Sequence, residues 1–131
     1  MRLSVFCLGL LVAACGSDEA TPIDAALAPS IAATPSPTTI APGGTVVVTV
    51  TTTNFNVIAP ALAPAPKAGE GHYHYYLDDA ANYVAAWTPT VSVRPPPTAA
   101  PGVHMIRLVL VSSDHVDVTP TVDTIITFMI Q

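Results

Sequence analysis

The 131-residue chain carries four histidines, all in its second half: His72, His74, His104 and His115. The densest segment is Gly71-His72-Tyr73-His74-Tyr75-Tyr76-Leu77-Asp78. Side chains two residues apart on a β-strand leave the same face of it, so the rings of His72 and His74 can converge on one ion. Neutral imidazole is the commonest side-chain ligand for zinc and copper. The same alternation also allows a plainer arrangement. Tyr73, Tyr75 and Leu77 would make the core face, leaving His72, His74 and Tyr76 as polar groups on a solvated face.

Geometry selects a third ligand. His104 opens one apolar strand and His115 lies beyond its end. At about 3.3 Å per residue an extended run would hold them roughly 35 Å apart, so one ion cannot use both unless the chain reverses sharply. If the His72 strand lies antiparallel beside the His104 strand, the start of one meets the end of the other. The candidate metal site is then His72, His74 and His115, with Asp114 and Asp117 close by. His104 falls near Asp78 at the far end. It shares the parity of Ile106 and Leu108, so partial burial with a hydrogen bond is expected of it. Three histidines leave a coordination position open. Met105 and Met129 lie inside strands and are expected to pack, which disfavours copper(I) and leaves copper(II) or zinc.

The elements that must position these residues are strands. Pro42-Gly43-Gly44 is a turn signal, and Thr45 to Thr53 is almost wholly β-branched, with Val46, Val48 and Val50 facing inward. Asn54 and Asn56 close that strand. An Ala/Pro loop runs from Ala59 to Gly71, and a tyrosine-rich strand follows from His72 to Leu77, ended by a turn at Asp78-Asp79. Tyr83–Trp87 and Val91–Arg94 are short strand candidates. Pro95 to Gly102 is a stiff connector. Val103–Val111 carries Ile106, Leu108 and Leu110 on one face and Arg107 on the other. After a polar loop from Ser112 to Pro120, Val122–Ile130 carries Ile126, Phe128 and Ile130 on one face. Short strands with turn signals and no helical period predict an all-β fold, an antiparallel Ig-like β-sandwich of about seven strands. Fourteen prolines argue against a helical protein.

The N-terminus has a different character. Arg2 precedes an apolar run from Leu3 to Ala14, too short for a bilayer core that takes about 20 residues and laid out as a signal peptide. Leu11-Val12-Ala13-Ala14-Cys15 resembles the bacterial lipobox. That resemblance implies cleavage before Cys15, acylation of its thiol and its freed amine by fatty acids such as palmitate, and stable anchoring, since several chains hold where one binds only marginally. Gly16 stands where an aspartate marks inner-membrane retention in the best-studied envelopes, so the outer membrane or cell surface is the expected location. The expected organisation is a signal peptide at 1–14, a lipidated cysteine and flexible Pro/Ala-rich linker at 15–37, and the sandwich domain at 38–131. The linker has few large apolar groups; burial of Ile23, Leu27 or Ile31 would fix part of it.

The remainder narrows the function. Cys7 lies inside the signal and Cys15 becomes the anchor, so the folded part has no disulfide framework and no thiolate metal site. After cleavage three basic residues (Lys67, Arg94 and Arg107) face nine acidic ones. With no basic patch, nucleic acid is not an expected partner.

Two looser resemblances concern the domain. The Pro-Gly-Gly-Thr lead-in to a Thr/Val strand resembles bacterial Ig-like envelope domains. Gly71-His72-Tyr73-His74 with Asp78, Pro101-Gly102-Val103-His104 and Asp114-His115 look like an uncharacterised bacterial envelope family with the pattern Gly-His-x-His, Pro-Gly-x-His and a late Asp-His. Tyr73 stands where that family often has a further histidine. Paired-histidine strands also occur in copper-zinc superoxide dismutases, but their further ligands and loops are missing. There is no Gly-x-Ser-x-Gly, no phosphate loop and no His-Glu-x-x-His, so an enzyme is not expected. The expected function is a lipid-anchored envelope protein with a histidine-based copper or zinc site. The alternative is a structural or adhesive Ig-like surface module without metal, to which Tyr73, Tyr75, Tyr76, Tyr83 and Trp87 would lend either core or a carbohydrate-facing patch.

Overall fold

The structure is a computed structural model and describes residues 28–60 and 65–131. The expected signal peptide, the expected lipidation site Cys15 and the expected linker up to residue 27 lie outside the described residues. Alternating threonine and valine form β3 (Val46–Thr53) because branched Cβ atoms suit the pleated backbone. Val46, Val48 and Val50 are buried, as their parity predicts. The other strands are β1 (Ser30–Ser36), β2 (Thr39–Ile40), β4 (Asn56–Val57), β5 (Glu70–Leu77), β6 (Val84–Ala86), β7 (Thr90–Val93), β8 (Gly102–Ser112) and β9 (Asp123–Ile130). These nine strands of the described residues form two sheets, ordered β1-β3-β7 and β2-β9-β8-β5-β4, with β6 also pairing β5.

The fold is all-β, and one core joins the sheets. Ile31, Val46, Val48, Val50 and Val93 come from the first sheet and Tyr73, Ile106, Leu108, Leu110, Phe128 and Ile130 from the second. Each fully buried aliphatic side chain contributes about 1.5–3 kcal/mol. Three details depart from expectation. The domain begins at Ser30 rather than Thr38: Ile31 is buried, and β1 pairs antiparallel with β3 over its whole length, so this part of the expected linker is a strand. The pairing is not wholly antiparallel, because the two-residue strands β2 and β4 run parallel to β9 and β5. The third is the burial of His72 and His74 on a face that alternation left to solvent.

β5 lies antiparallel to β8, with Gly71 opposite Ser112, His72 opposite Val111 and His74 opposite Val109. Gly71 makes this possible. A Cβ there would collide with the Val111 carbonyl oxygen and come within 2.9 Å of Ser112 Cα. The two backbones therefore meet closely just where the first histidine begins. At the other end of β5, Asp78 and Asp79 take left-handed turn conformations (φ 52° and 54°). The Asp78 backbone N–H donates to the Met105 carbonyl at 3.0 Å, and its carboxylate accepts the Met105 N–H at 3.0 Å.

Replacing Gly71 by alanine must part β5 from β8 or shift their register. The Gly71→Ala variant is expected to lose at least about 2 kcal/mol of unfolding free energy, read from its urea midpoint. An unchanged midpoint would refute the close approach.

Candidate metal centre

His72 and His74 leave β5 on the face opposite the core, yet they are 0% and 2% exposed. Several groups cover them. Val109 and Val111, their cross-strand neighbours on β8, are buried although their parity is opposite to that of the core residues Leu108 and Leu110. Tyr83, just before β6, lies flat on the His74 ring, with centroids 3.6 Å apart and planes 8° from parallel. Tyr76 meets the same Tyr83 edge-on at 6.1 Å. The loop after β8 folds back so that Asp117 bridges Val111 and the Val118 N–H donates to Leu110. The solvated-face arrangement is thereby excluded.

A tight turn delivers His115. The His115 N–H donates to the Ser112 carbonyl at 3.0 Å, and the Ser112 N–H donates to the Val116 carbonyl at 2.8 Å. This pattern, a three-residue loop whose last residue is left-handed, usually has glycine at that last position. His115 occupies it with φ 66°, a conformation that costs a residue with a Cβ about 1–2 kcal/mol. Asp114 stabilises the turn rather than the site. Its carboxylate accepts from Ser112 Oγ and, at 3.4 Å, from the Val116 N–H. The Ser112 contact, first among its causes, holds the Asp114 carboxyl below the ordinary range.

The three rings converge. His72 Nε2 is 3.1 Å from His74 Nε2 and 3.3 Å from His115 Nδ1, and His74 Nε2 is 3.0 Å from His115 Nδ1. His72, His74 and His115 form the His/Cys/Asp/Glu cluster of the described residues whose ligand atoms lie mutually close enough to hold one ion. A neutral ring nitrogen either donates or accepts, never both. Three mutually facing nitrogens therefore cannot satisfy one another, because at least one pair must present two protons or two lone pairs. Three lone pairs directed at one cation remove that conflict. Nitrogens about 2.0–2.1 Å from a tetrahedral zinc lie roughly 3.3 Å apart, and those at right angles about 2.9 Å. The observed triangle lies within this range.

Electrostatics favour the neutral form of the two buried rings, His72 and His74. Burial, then the neighbouring His74 and His115, push the His72 imidazole down to about 4 from 6.5. Burial and His115 lower that of His74, while Asp117 opposes them. His104 behaves oppositely. Its Nδ1 faces Asp78 Oδ2 at 2.7 Å and its Nε2 faces the Ala100 carbonyl at 2.8 Å. The Asp78 hydrogen bond, then that to Ala100, raise its pKa. With both nitrogens donating, His104 has no lone pair for a metal, and it stacks on Phe128 as a structural residue.

The sequence-predicted trio is thus brought together, and the expected place of His104 beside Asp78 is observed. Sequence reasoning missed Tyr83, Val109 and Val111 as the walls of the site, and no local pattern distinguishes them from ordinary strand residues. The chain matches no protein-family model, no curated protein and no solved structure with which it was compared.

Two outcomes follow from these observations. Between pH 6.5 and about 4 the unfolded chain binds protons at His72 that the folded chain refuses. His72 therefore contributes a loss of stability to the metal-free protein as pH falls through that window. Urea midpoints measured with a chelator present should show the loss, and a His72→Leu variant should show a shallower one; equal slopes would contradict the neutral buried ring. Secondly, His115→Gly relieves the left-handed backbone. The metal-free variant is expected to match the wild type or exceed it by about 1 kcal/mol; a clear loss in the same measurement would contradict the strain assignment.

Proposed function

We propose that this chain is a lipid-anchored envelope protein that binds a divalent metal ion, copper(II) or zinc, through His72, His74 and His115. One observation carries the metal reading: imidazole nitrogens of two buried histidines and one exposed one lie 3.0–3.3 Å from one another with no consistent hydrogen-bonding assignment. Neutral nitrogens in a set of three suit zinc and copper(II), and leave a fourth position for water or another ligand. The ion would draw the turn at Ser112–Val116 onto β5. This is a binding role rather than an enzymatic one.

The anchoring reading is supported by the lipobox resemblance at Leu11–Cys15 and by the short apolar run before it. With Gly16 after the cysteine, an outer-membrane or surface location is proposed. Nucleic acid is not a proposed partner, given nine acidic against four basic residues in the whole chain.

Titration of the full chain, with its cysteines alkylated, tests the metal reading by calorimetry with zinc and copper(II). One ion should bind per chain with a dissociation constant below about 1 μM. His74→Ala should weaken binding by at least about a hundredfold, and affinity should drop below pH 6 as protons compete for the ligands. Unchanged binding in His74→Ala, or none in the folded wild type, would refute the site.

A further inference from the structure

We infer that the ion held at His72, His74 and His115 is cargo, taken up and handed on by ligand exchange, rather than a resident structural ion. This rests on the metal-binding reading above and adds to it a direction of use. Three observations support it, and each concerns a different part of the site.

The first is the missing support behind a ligand. Metal-bound histidines almost always donate their second ring N–H to a carboxylate, a carbonyl or water, and loss of such a partner typically costs about 10–100-fold in metal affinity. His72 Nδ1 is buried and has no hydrogen-bond partner among the described residues. His74 is oriented by the face of Tyr83. The His72 ring is thus aimed by packing, which holds it in place without strengthening it as a donor.

The second is the unequal footing of the ligands. His72 and His74 are fixed on β5 between β8 and β6. His115 is exposed, on a turn whose backbone is left-handed there. It can leave the ion without disturbing a strand. The third is the ligand count: three protein ligands leave the fourth position to water, which an incoming donor can displace before any histidine departs.

Exchange then proceeds in a balanced order. A nitrogen or carboxylate donor of the acceptor would displace the water at the fourth position, and a second would replace His115 Nδ1, whose lone pair stays on the ring. Two further acceptor bonds replace those to His74 and His72. The ion remains divalent, no electron is transferred, and each bond broken at the ion is matched by one formed. The acceptor is a molecule offering several such donors.

The test is stopped-flow release of zinc from the full, cysteine-alkylated chain to the chromogenic chelator 4-(2-pyridylazo)resorcinol, after calorimetry has established the stoichiometry. The release rate should rise in proportion as chelator is raised about tenfold, and His115→Gly should release zinc at least about tenfold faster. Stoichiometric binding with a release rate indifferent to chelator, or unaffected by His115→Gly, would overturn the cargo assignment and leave the metal site standing. Absence of stoichiometric binding would overturn both.

Discussion

The register of β5 against β8 is the constraint on which the site depends. Gly71 faces Ser112, so His72 and His74 stand beside Val111 and Val109, and the turn that starts at Ser112 opens directly over them. A slip of one residue would send both histidines into the core and Tyr73 to the outside. Such a slip is opposed from both faces. Tyr73 is buried against Leu108 and Leu110 within the sandwich and donates its hydroxyl to the Thr88 carbonyl at 2.6 Å. On the other face, Val109 and Val111 are buried. Asp78 ties the far end of β5 to Met105, and Gly71 admits the close backbone approach at the near end.

This pairing also explains the electrostatics. A sheet face that is ordinarily open to water is here closed by Tyr83 and the returning loop, so imidazoles that would be half-charged near neutral pH are held neutral. A metal ligand must be neutral, and burial keeps His72 and His74 so at acidities where an exposed imidazole takes up a proton. The same chain shows the opposite outcome at His104, where a carboxylate and a carbonyl, one at each nitrogen, favour the charged ring. Four histidines thus divide by environment alone into three with converging nitrogens and one whose nitrogens are both occupied.

Much of this was legible in the sequence. The β-branched run at Val46–Thr53 and the alternation of Ile106, Leu108 and Leu110 define strands and their inward faces without ambiguity. The eleven-residue separation of His104 and His115, set against an antiparallel neighbour, was enough to assign His115 and not His104 to the pair on β5. What alternation could not convey was burial on the second face. That depends on where the loop after β8 returns and on where Tyr83 lands, both long-range facts. β1 was hidden for a similar reason: Ser30–Ser36 contains two alanines and a proline, weak strand formers, and becomes a strand because Ile31 is buried and β3 offers a free edge. The ring nitrogens that converge, Nε2 of His72 and His74 but Nδ1 of His115, follow from side-chain placement that spacing does not encode.

The convergence of the three rings is tested most directly by nuclear magnetic resonance of the imidazole nitrogens. Long-range proton–nitrogen spectra of the ¹⁵N-labelled chain would be recorded before and after addition of zinc. The structure requires Nε2 of His72, Nε2 of His74 and Nδ1 of His115 to shift together, with both nitrogens of His104 protonated and unmoved. Zinc-dependent shifts at only one or two of the three rings, or at His104, would contradict a shared ion.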